Sequence, residues 1–228
     1  MTVKSLGSAL TTLRALEAIG REQPIGVSAL SRTLGITKSS AQRVLATLAE
    51  AGWVVDDGSG QARWQLTARA LTVGRTYLDR RGFRNRLKPL LTELCAATGE
   101  TILLSVRDSD QMLIVDGVES EQPVHVSARI GTTHQVVGSA AGHAVCAFLP
   151  LEERPLPDSD EFAEIRAQGY ALSLGRMNPG VHSVAAPAFD AAGRPYAAVV
   201  IAAPAERGGG ALFERHGAML VQRLASLG

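Results

Sequence analysis

The sequence is poor in aromatic residues and has no long apolar run. Aromatic residues make up 4% of the chain and hydrophobic residues 46%, which predicts a globular protein with an aliphatic core. No apolar run reaches the roughly 18 residues that a membrane-spanning helix needs. The first residues also lack the charged and then apolar segments of a secretion signal. We therefore expect a cytoplasmic protein with no membrane partner.

Cysteine is scarce, and neither the cysteines nor the histidines have the spacing of a metal or catalytic site. The two cysteines, Cys95 and Cys146, are far apart, which is typical of free thiols in a reducing compartment. The five histidines show neither the i,i+4 pairs nor the Cys/His clusters of metal sites. Ser183 lacks the glycine pattern of a nucleophile elbow. The sequence thus predicts no catalytic residue, no metal and no cofactor.

Lysine is the scarcest charged residue, and the basic residues are unevenly distributed. Only Lys4, Lys38 and Lys88 are lysines among the 23 Lys and Arg residues. Residues 1–82 hold eleven of these basic residues against six Asp and Glu, whereas residues 83–228 hold twelve against sixteen. A basic first third predicts contact with a polyanion at the N-terminal end.

The first part of the chain has the pattern of a winged helix-turn-helix. Apolar spacings and turn residues predict three helices and then two strands, over residues 5–20, 29–34, 38–51, 53–55 and 63–66. Ser28 and Thr37 are predicted N-caps, and Gly35 lies in the short turn between the second and third helices. The two strands flank turn residues and predict the wing.

A fourth predicted helix, residues 67–82, links this domain to the rest of the chain. Its stripe of Leu71, Gly74 and Leu78 is too narrow to pack against both domains, so it predicts pairing of subunits. We expect a homodimer or a dimer of dimers on a near-palindromic operator, because two-fold proteins read two-fold sites. The predicted domains are therefore residues 1–66, the linker helix 67–82, and residues 83–228.

Residues 83–228 have the pattern of an α+β domain with a largely antiparallel sheet. Alternating and apolar segments predict strands over residues 101–106, 112–118, 124–130, 170–174, 182–189 and 196–202. Helical spacings predict helices over residues 84–98, 139–149, 160–168 and 212–227. The predicted fold class of the whole chain is α+β.

The third predicted helix carries the side chains of a DNA-reading surface. Arg and Lys can pair with guanine and Gln with adenine, while hydroxyls beside a helix N-terminus suit phosphate contacts. The predicted DNA-binding residues are Ser28, Thr37, Lys38, Ser39, Ser40, Gln42, Arg43 and, on the wing, Arg63. The alternative is a three-helix module whose polar face is only solvated or contacts proteins.

The same residues carry a family resemblance. Residues 27–48, VSALSRTLGITKSSAQRVLATL, resemble the DNA-binding signature of the IclR family of bacterial transcription regulators. Residues 99–101, 138–144 and 179–187 resemble the second domain of that family, in the family's order. The resemblance covers nearly the whole chain. It implies a GAF-like second domain that dimerises and binds a small metabolite.

By this resemblance, the effector lies near Val126, Ser139, Ala140, Ala141, Ser173 and Ser183. The sequence departs from the family pattern in a shortened segment at residues 150–158, in a missing acidic run before Pro179, and at His143, where a Lys is common. The shortened form is similar to actinobacterial members. Small residues at the start of the helix predicted to begin at Ser139 leave its first N–H groups open to a carboxylate. The expected effector is a small organic, amino or aromatic acid.

Three functions are compatible with these features. The first is a repressor or activator whose operator binding responds to a metabolite. The second is a dimeric regulator whose sensor domain is only structural, since the small residues 138–142 also suit close packing of a helix on a sheet. The third is an enzyme with a DNA-binding appendage, for which the sequence supplies no acid, base and nucleophile together.

Overall fold

The chain divides into two units, residues 1–80 and 81–228, and each has its own antiparallel sheet. A computed structural model describes residues 5–80, 83–127 and 129–227, with their side chains except in residues 75–80 and 83–86. The described helices are α1 (Gly7–Glu22), α2 (Val27–Leu34), α3 (Lys38–Glu50), α4 (Arg69–Arg80), α5 (Phe83–Thr98), α6 (Ala140–Cys146), α7 (Asp160–Gln168) and α8 (Gly210–Ala225). The strands are β1 (Ile25–Gly26), β2 (Val54–Asp56), β3 (Arg63–Leu66), β4 (Thr101–Asp108), β5 (Gln111–Val118), β6 (Thr133–Gln135), β7 (Ala171–Leu174), β8 (Val181–Phe189) and β9 (Pro195–Pro204). None of the described helices is long and apolar enough to cross a membrane.

In the first unit, helices α1 to α3 and a small sheet follow one another as the sequence predicts, and α4 comes after them. Thr37 caps α3 by accepting a hydrogen bond from Ser40 N, and Gly35 ends α2 with a φ of +64°. This left-handed conformation favours glycine because a Cβ atom is strained there. Aliphatic residues of α1, α2 and α3 pack together with the wing, and the buried members are Ala15, Ala18, Ile19, Ile25, Leu30, Ala41, Leu45, Leu48 and Val54.

Two details of this unit differ from the prediction. The N-cap predicted at Ser28 is wrong, because α2 begins at Val27 and its N-cap is Gly26. Gly26 belongs to the short strand β1, which pairs with β3 through Ile25 and Trp64. Two residues show no alternation, so the sequence gives no strand signal there. With this extra pairing, α2 begins two residues earlier than the Ser28 cap predicts.

The second unit is built on a six-stranded sheet with the order β6-β5-β4-β9-β8-β7, in which every pairing is antiparallel. This confirms the predicted α+β class. Helices α6 and α7 pack on the face that carries Leu103, Ala185 and Val200. On the opposite face, His182 of β8 contacts Phe213 of α8 through an edge-to-face ring pair with centroids 5.7 Å apart. Helix α5 contacts β4 and β5.

The strand predicted over residues 124–130 is wrong. Its described residues, 124–127 and 129–130, belong to no strand, and Val124 and Ile130 are 70% and 64% exposed. Alternating apolar residues form a strand when a neighbouring strand and a buried face receive them, and the short β6 takes that place beside β5 instead. The Thr101 hydroxyl donates to Val126 O at 2.7 Å, which holds the segment against the end of β4.

Candidate DNA-binding face and effector pocket

The predicted recognition helix presents one buried and one exposed face. Ala41, Leu45 and Leu48 of α3 are buried in the core of the first unit. Most predicted DNA-binding residues share the exposed side and the first turns of this helix: Thr37, Lys38, Ser39, Ser40, Gln42 and Arg43. The Thr37 hydroxyl is bonded to both neighbouring serine hydroxyls, at 3.0 Å from Ser39 Oγ and 2.9 Å from Ser40 Oγ. The start of α3 is therefore ordered before any DNA is bound.

The other two predicted DNA-binding residues lie apart from this group in the chain. Ser28 lies in the first turn of α2 and is exposed. Arg63 lies on β3 of the wing, and its Nη2 donates to Pro24 O at 2.7 Å. The guanidinium therefore holds the α1–α2 connection against the wing, and only its remaining N–H groups can reach a phosphate.

In the second unit, four strands align a row of small side chains, three of them with hydroxyl groups, under α6. Ser173 pairs with Ser183, Ser183 with Ala202, and Ala202 with Thr101. Directly paired residues of antiparallel strands point to the same face, here the face on which α6 packs. The row thus brings Ser173 and Ser183 together as the resemblance implies. Val126 lies at the other end, where its carbonyl meets Thr101.

The entry to α6 is fixed on several sides. The Ser139 hydroxyl caps the helix by accepting from Gly142 N at 2.9 Å and donates to Val136 O at 3.1 Å. The Ser173 hydroxyl donates to Gly138 O at 2.7 Å. One of the N–H groups that the sequence leaves open to a carboxylate is therefore already bonded within the protein.

A polar network that the sequence analysis missed joins α6, α7 and the loop after β7. His143 Nδ1 lies 3.0 Å from Glu161 Oε1, and its Nε2 accepts a hydrogen bond from Gly138 N at 3.2 Å. Because a backbone N–H points at Nε2, we assign the ring proton to Nδ1, which donates to Glu161. Arg176 forms an ion pair with the same Glu161 carboxylate. The contacts of Glu161 with His143 and Arg176 join residues far apart in the sequence, so no local sequence pattern predicts them.

The comparison with known proteins decides the family. Residues 8–58 match the family model of the IclR helix-turn-helix domain, and residues 75–155 and 159–224 match that of the bacterial transcriptional regulator IclR C-terminal domain. The chain belongs to the IclR family. It is a DNA-binding transcriptional regulator, and the relatives that it resembles are named for regulation rather than for an enzyme activity.

Two curated relatives of this regulator illustrate the similarity. The glycerol operon regulatory protein of Streptomyces coelicolor is 31% identical over 223 residues, covering 90% of this chain and 86% of the relative. The acetate operon repressor of Salmonella typhimurium is 28% identical over 217 residues, covering 86% and 79%. The solved structure of an IclR homolog from Microbacterium hydrocarbonoxydans covers 97% of both chains with a TM-score of 0.81 and 18% identity, which supports the fold.

Within the IclR-family fold, the residues predicted to meet an effector differ in accessibility. Ser139, Ala140, Ala141 and Ser173 are each 2–3% exposed. Ser183 is half-buried, and no described residue is hydrogen-bonded to its hydroxyl. Of the three serines predicted at the pocket, Ser183 alone has both an accessible and an uncommitted hydroxyl within the described part of the chain.

The short segment after α6 is held close to α7. Asp158 accepts from Arg154 at 2.7 Å and from Arg166 at 3.1 Å. Arg154 Nε also donates to Leu149 O, and Arg166 to Ala147 O. These two arginines fasten residues 150–158 to the end of α6, and they lower the pKa of the Asp158 carboxyl through hydrogen bonds.

Acid is expected to destabilise the second unit through Glu161. Burial works to raise the pKa of this carboxyl, but the hydrogen bond from Arg176 and the proximity of His143 outweigh it, so the pKa lies below its ordinary 4.5. The stabilisation is therefore present above about pH 4.5 and is lost as the pH falls through the lowered pKa. Between about pH 5 and pH 3, we expect wild type to lose more free energy of unfolding than Glu161→Gln. Equal losses in denaturant titrations would mean that Glu161 titrates alike in the folded and unfolded chains.

Proposed function

We propose that this IclR-family regulator binds a small anionic metabolite on the α6 face of its second unit, and that this ligand modulates operator binding. The single observation that carries the proposal is the pairing of Ser173 with Ser183 beside the entry to α6. The Microbacterium homolog was solved with 4-hydroxybenzoate, a small aromatic acid, which supports the same ligand class here. The predicted effector residues Val126, Ser139, Ala140, Ala141, Ser173 and Ser183 are kept as the proposed site.

The two strand serines have different parts in this proposal. The Ser173 hydroxyl donates to Gly138 O and so positions the loop before α6. Ser183 has no such bond, so its hydroxyl is available to donate to a ligand oxygen. Apolar neighbours on the same face, such as Val200 and Leu103, suit the uncharged part of an organic acid.

A thermal-shift screen of amino, keto and aromatic acids tests the proposal on the whole protein. A ligand that binds only the folded state raises the melting temperature, by an amount equal to about 2.7 kcal/mol at a hundred times its dissociation constant. An acid that raises the melting temperature and changes operator affinity supports the proposal. A screen in which no acid does so favours the alternative of a regulator with a purely structural second domain.

Replacing each serine with alanine is expected to separate binding from folding. Ser183→Ala removes a hydroxyl without a partner, so it should leave the melting temperature unchanged and weaken acid binding about tenfold or more. Ser173→Ala removes the bond to Gly138 O and should cost about 1 kcal/mol of stability. Calorimetric titration with the acid found in the screen, together with melting curves, checks both. Unchanged acid affinity in Ser183→Ala contradicts this assignment of the site.

For the DNA, we propose that α3 lies in the major groove of a near-palindromic operator and that the protein reads it as a homodimer or a dimer of dimers. Lys38, Ser39 and Gln42 then face base edges. Residues 1–66 as the DNA-binding domain, 67–82 as a linker helix and 83–228 as the effector domain remain part of this proposal. Footprinting on DNA selected from a random pool tests it, because a dimer protects two half-sites about one helical turn or more apart.

A further inference from the structure

A polar groove of about 270 Å³ lies between the N-terminal half of α1 and helix α3. Six of its seven lining residues carry a hydroxyl or a guanidinium group: Ser8, Thr11, Thr12, Ser40, Arg43 and Thr47, with Val44 as the seventh. No Asp or Glu lines it. Its lining residues are exposed or half-buried, so the groove is open to solvent and to a ligand. The Thr11, Thr12 and Thr47 hydroxyls donate to carbonyl groups of their own helices.

The groove is electrically suited to an anion. Helix α1 has sixteen residues, and its N-cap position, Leu6, provides no side-chain acceptor for the first N–H groups. These groups form the positive end of the helix dipole. Within the described part of the chain, no group is hydrogen-bonded to the Arg43 guanidinium or to the Ser8 hydroxyl. A charged donor and a neutral donor are thus both uncommitted at the groove.

The groove lies at the edge of the recognition helix. Ser40, Arg43 and Thr47 are spaced by three and four residues, so they form one line along α3 between its buried face and its outer face. An α-helix with side chains is about 10–12 Å across and the major groove is about 12 Å wide. A helix that fills the groove therefore presents its centre to the bases and its edges to the two phosphate chains.

We propose that the groove between α1 and α3 seats a phosphate of the operator backbone, with Arg43 as its charged contact and Ser8 as a neutral one. This inference rests on the proposed placement of α3 in the major groove. It adds α1 to the DNA interface and gives Arg43 a backbone contact, where the sequence alone suggests pairing with guanine. Backbone contacts set affinity and register without reading sequence.

A charge placed at Ser8 tests the groove without disturbing the fold. Ser8 is exposed in the first turn of α1, where a carboxylate interacts favourably with the helix dipole. Ser8→Asp should therefore melt no lower than wild type and yet bind DNA about tenfold more weakly, because it meets the phosphate. Ser8→Asn has the same size without the charge and should bind nearly as wild type does. Equal DNA affinities of the two variants would overturn the proposal.

The salt dependence of binding tests the part played by Arg43. The probes are a duplex selected by the wild-type protein from a random pool and an unrelated duplex of the same length. Arg43→Ala should weaken binding to both duplexes alike, by about tenfold, and reduce the slope of log affinity against log salt by about one. Arg21→Ala removes the same charge at the far end of α1 and should leave both quantities unchanged.

Three results would overturn the phosphate assignment in different ways. If Arg43→Ala weakens only the selected duplex, keeps the salt slope and loses preference at one base pair, Arg43 reads a base. If neither Arg43→Ala nor Gln42→Ala changes DNA affinity, α3 is not in the major groove, and the proposed DNA-binding mode fails with it. If Gln42→Ala lowers DNA affinity and Arg43→Ala does not, the proposed DNA-binding mode stands, but no phosphate binds in the groove.

Discussion

Replacing Gly142 with alanine is expected to lower the free energy of unfolding of the second unit by about 2–4 kcal/mol. A Cβ atom at this position would lie 2.4 Å from Val136 O, 2.6 Å from Val136 Cα and 2.7 Å from Ser139 Oγ. Two of these neighbours are backbone atoms, which cannot rotate away as the end of a side chain can. The loop before α6 would have to move as a whole.

The same contact would also break the cap of α6. Ser139 Oγ accepts from Gly142 N and donates to Val136 O, so it bridges the two segments that a Cβ would push apart. Loss of an N-cap typically costs about 1 kcal/mol in addition to the steric cost. Since α6 contributes Ala140, Ala144 and Val145 to the core, a shift of this helix would also disturb the packing of the core of the second unit.

Two spectroscopic probes can assign the loss to the correct unit. Both tryptophans, Trp53 and Trp64, lie in the first unit, whereas far-ultraviolet circular dichroism sums the two units. Gly142→Ala should shift the circular dichroism transition by about 2–4 °C for each kcal/mol lost and leave the tryptophan transition in place. The control is Gly210→Ala in α8, where the nearest atom to a Cβ is Leu174 Cδ1 at 3.5 Å. Equal melting of Gly142→Ala and wild type contradicts this packing of α6.

Elements whose ends have local causes were predictable from the sequence. The sequence predicts α7 over residues 160–168, and the helix has these bounds, because Ser159 caps it by accepting from Phe162 N and Gly169 ends it with a φ of +85°. The Thr37 cap likewise predicts the start of α3 at Lys38, whereas the helix ends at Glu50, one residue before its predicted end. The need for glycine at position 142 was not predictable in this way. From the sequence alone, a glycine within a predicted helix is only a residue of low helix propensity. Glycine is required here because the backbone of Val136 lies where a Cβ atom would be, and this contact exists only in the folded chain.

The pairing of the two strand serines was predictable from the sequence, but their hydrogen bonds were not. Ser173 and Ser183 belong to strands that are neighbours in the chain, so their approach follows from an antiparallel hairpin. The Ser173 hydroxyl donates to Gly138 O, whereas no described residue is hydrogen-bonded to the Ser183 hydroxyl. This difference depends on the position of the loop before α6, which no periodic pattern in the sequence predicts. The ion pair between Arg176 and Glu161 is hidden for the same reason.

An outward-facing leucine stripe on α1 leads to the second large expected effect. Leu6, Leu10 and Leu13 repeat at helical spacing and predict the helix, but they are 75%, 42% and 59% exposed. The core of the first unit instead takes Ala15, Ala18 and Ile19 from the opposite face of α1. An apolar stripe turned away from the core is typical of a protein contact surface. We expect it to pair DNA-binding units, as a two-fold operator requires.

Leu10→Glu combined with Leu13→Glu is expected to lower affinity for a duplex with two half-sites by about 100-fold or more. Two linked units bind two half-sites with a gain of about 10²–10⁴ over one, and this gain is lost when the units no longer pair. Exposed substitutions usually change stability by no more than about 0.5 kcal/mol, so the fold should be retained. The matched control is Leu174→Glu combined with Leu151→Glu, whose side chains are 41% and 61% exposed in the second unit.

Gel-shift titrations on duplexes with one and with two half-sites check this expectation. The double α1 variant should bind both duplexes with similar affinity, because each unit then reads its half-site alone. The control should keep the preference of wild type for two half-sites. If the α1 variant keeps that preference, the stripe does not pair the units. The predicted stripe of Leu71, Gly74 and Leu78 on the linker helix then becomes the pairing surface to test; Leu71 is 72% exposed, and the side chain of Leu78 lies outside the described residues.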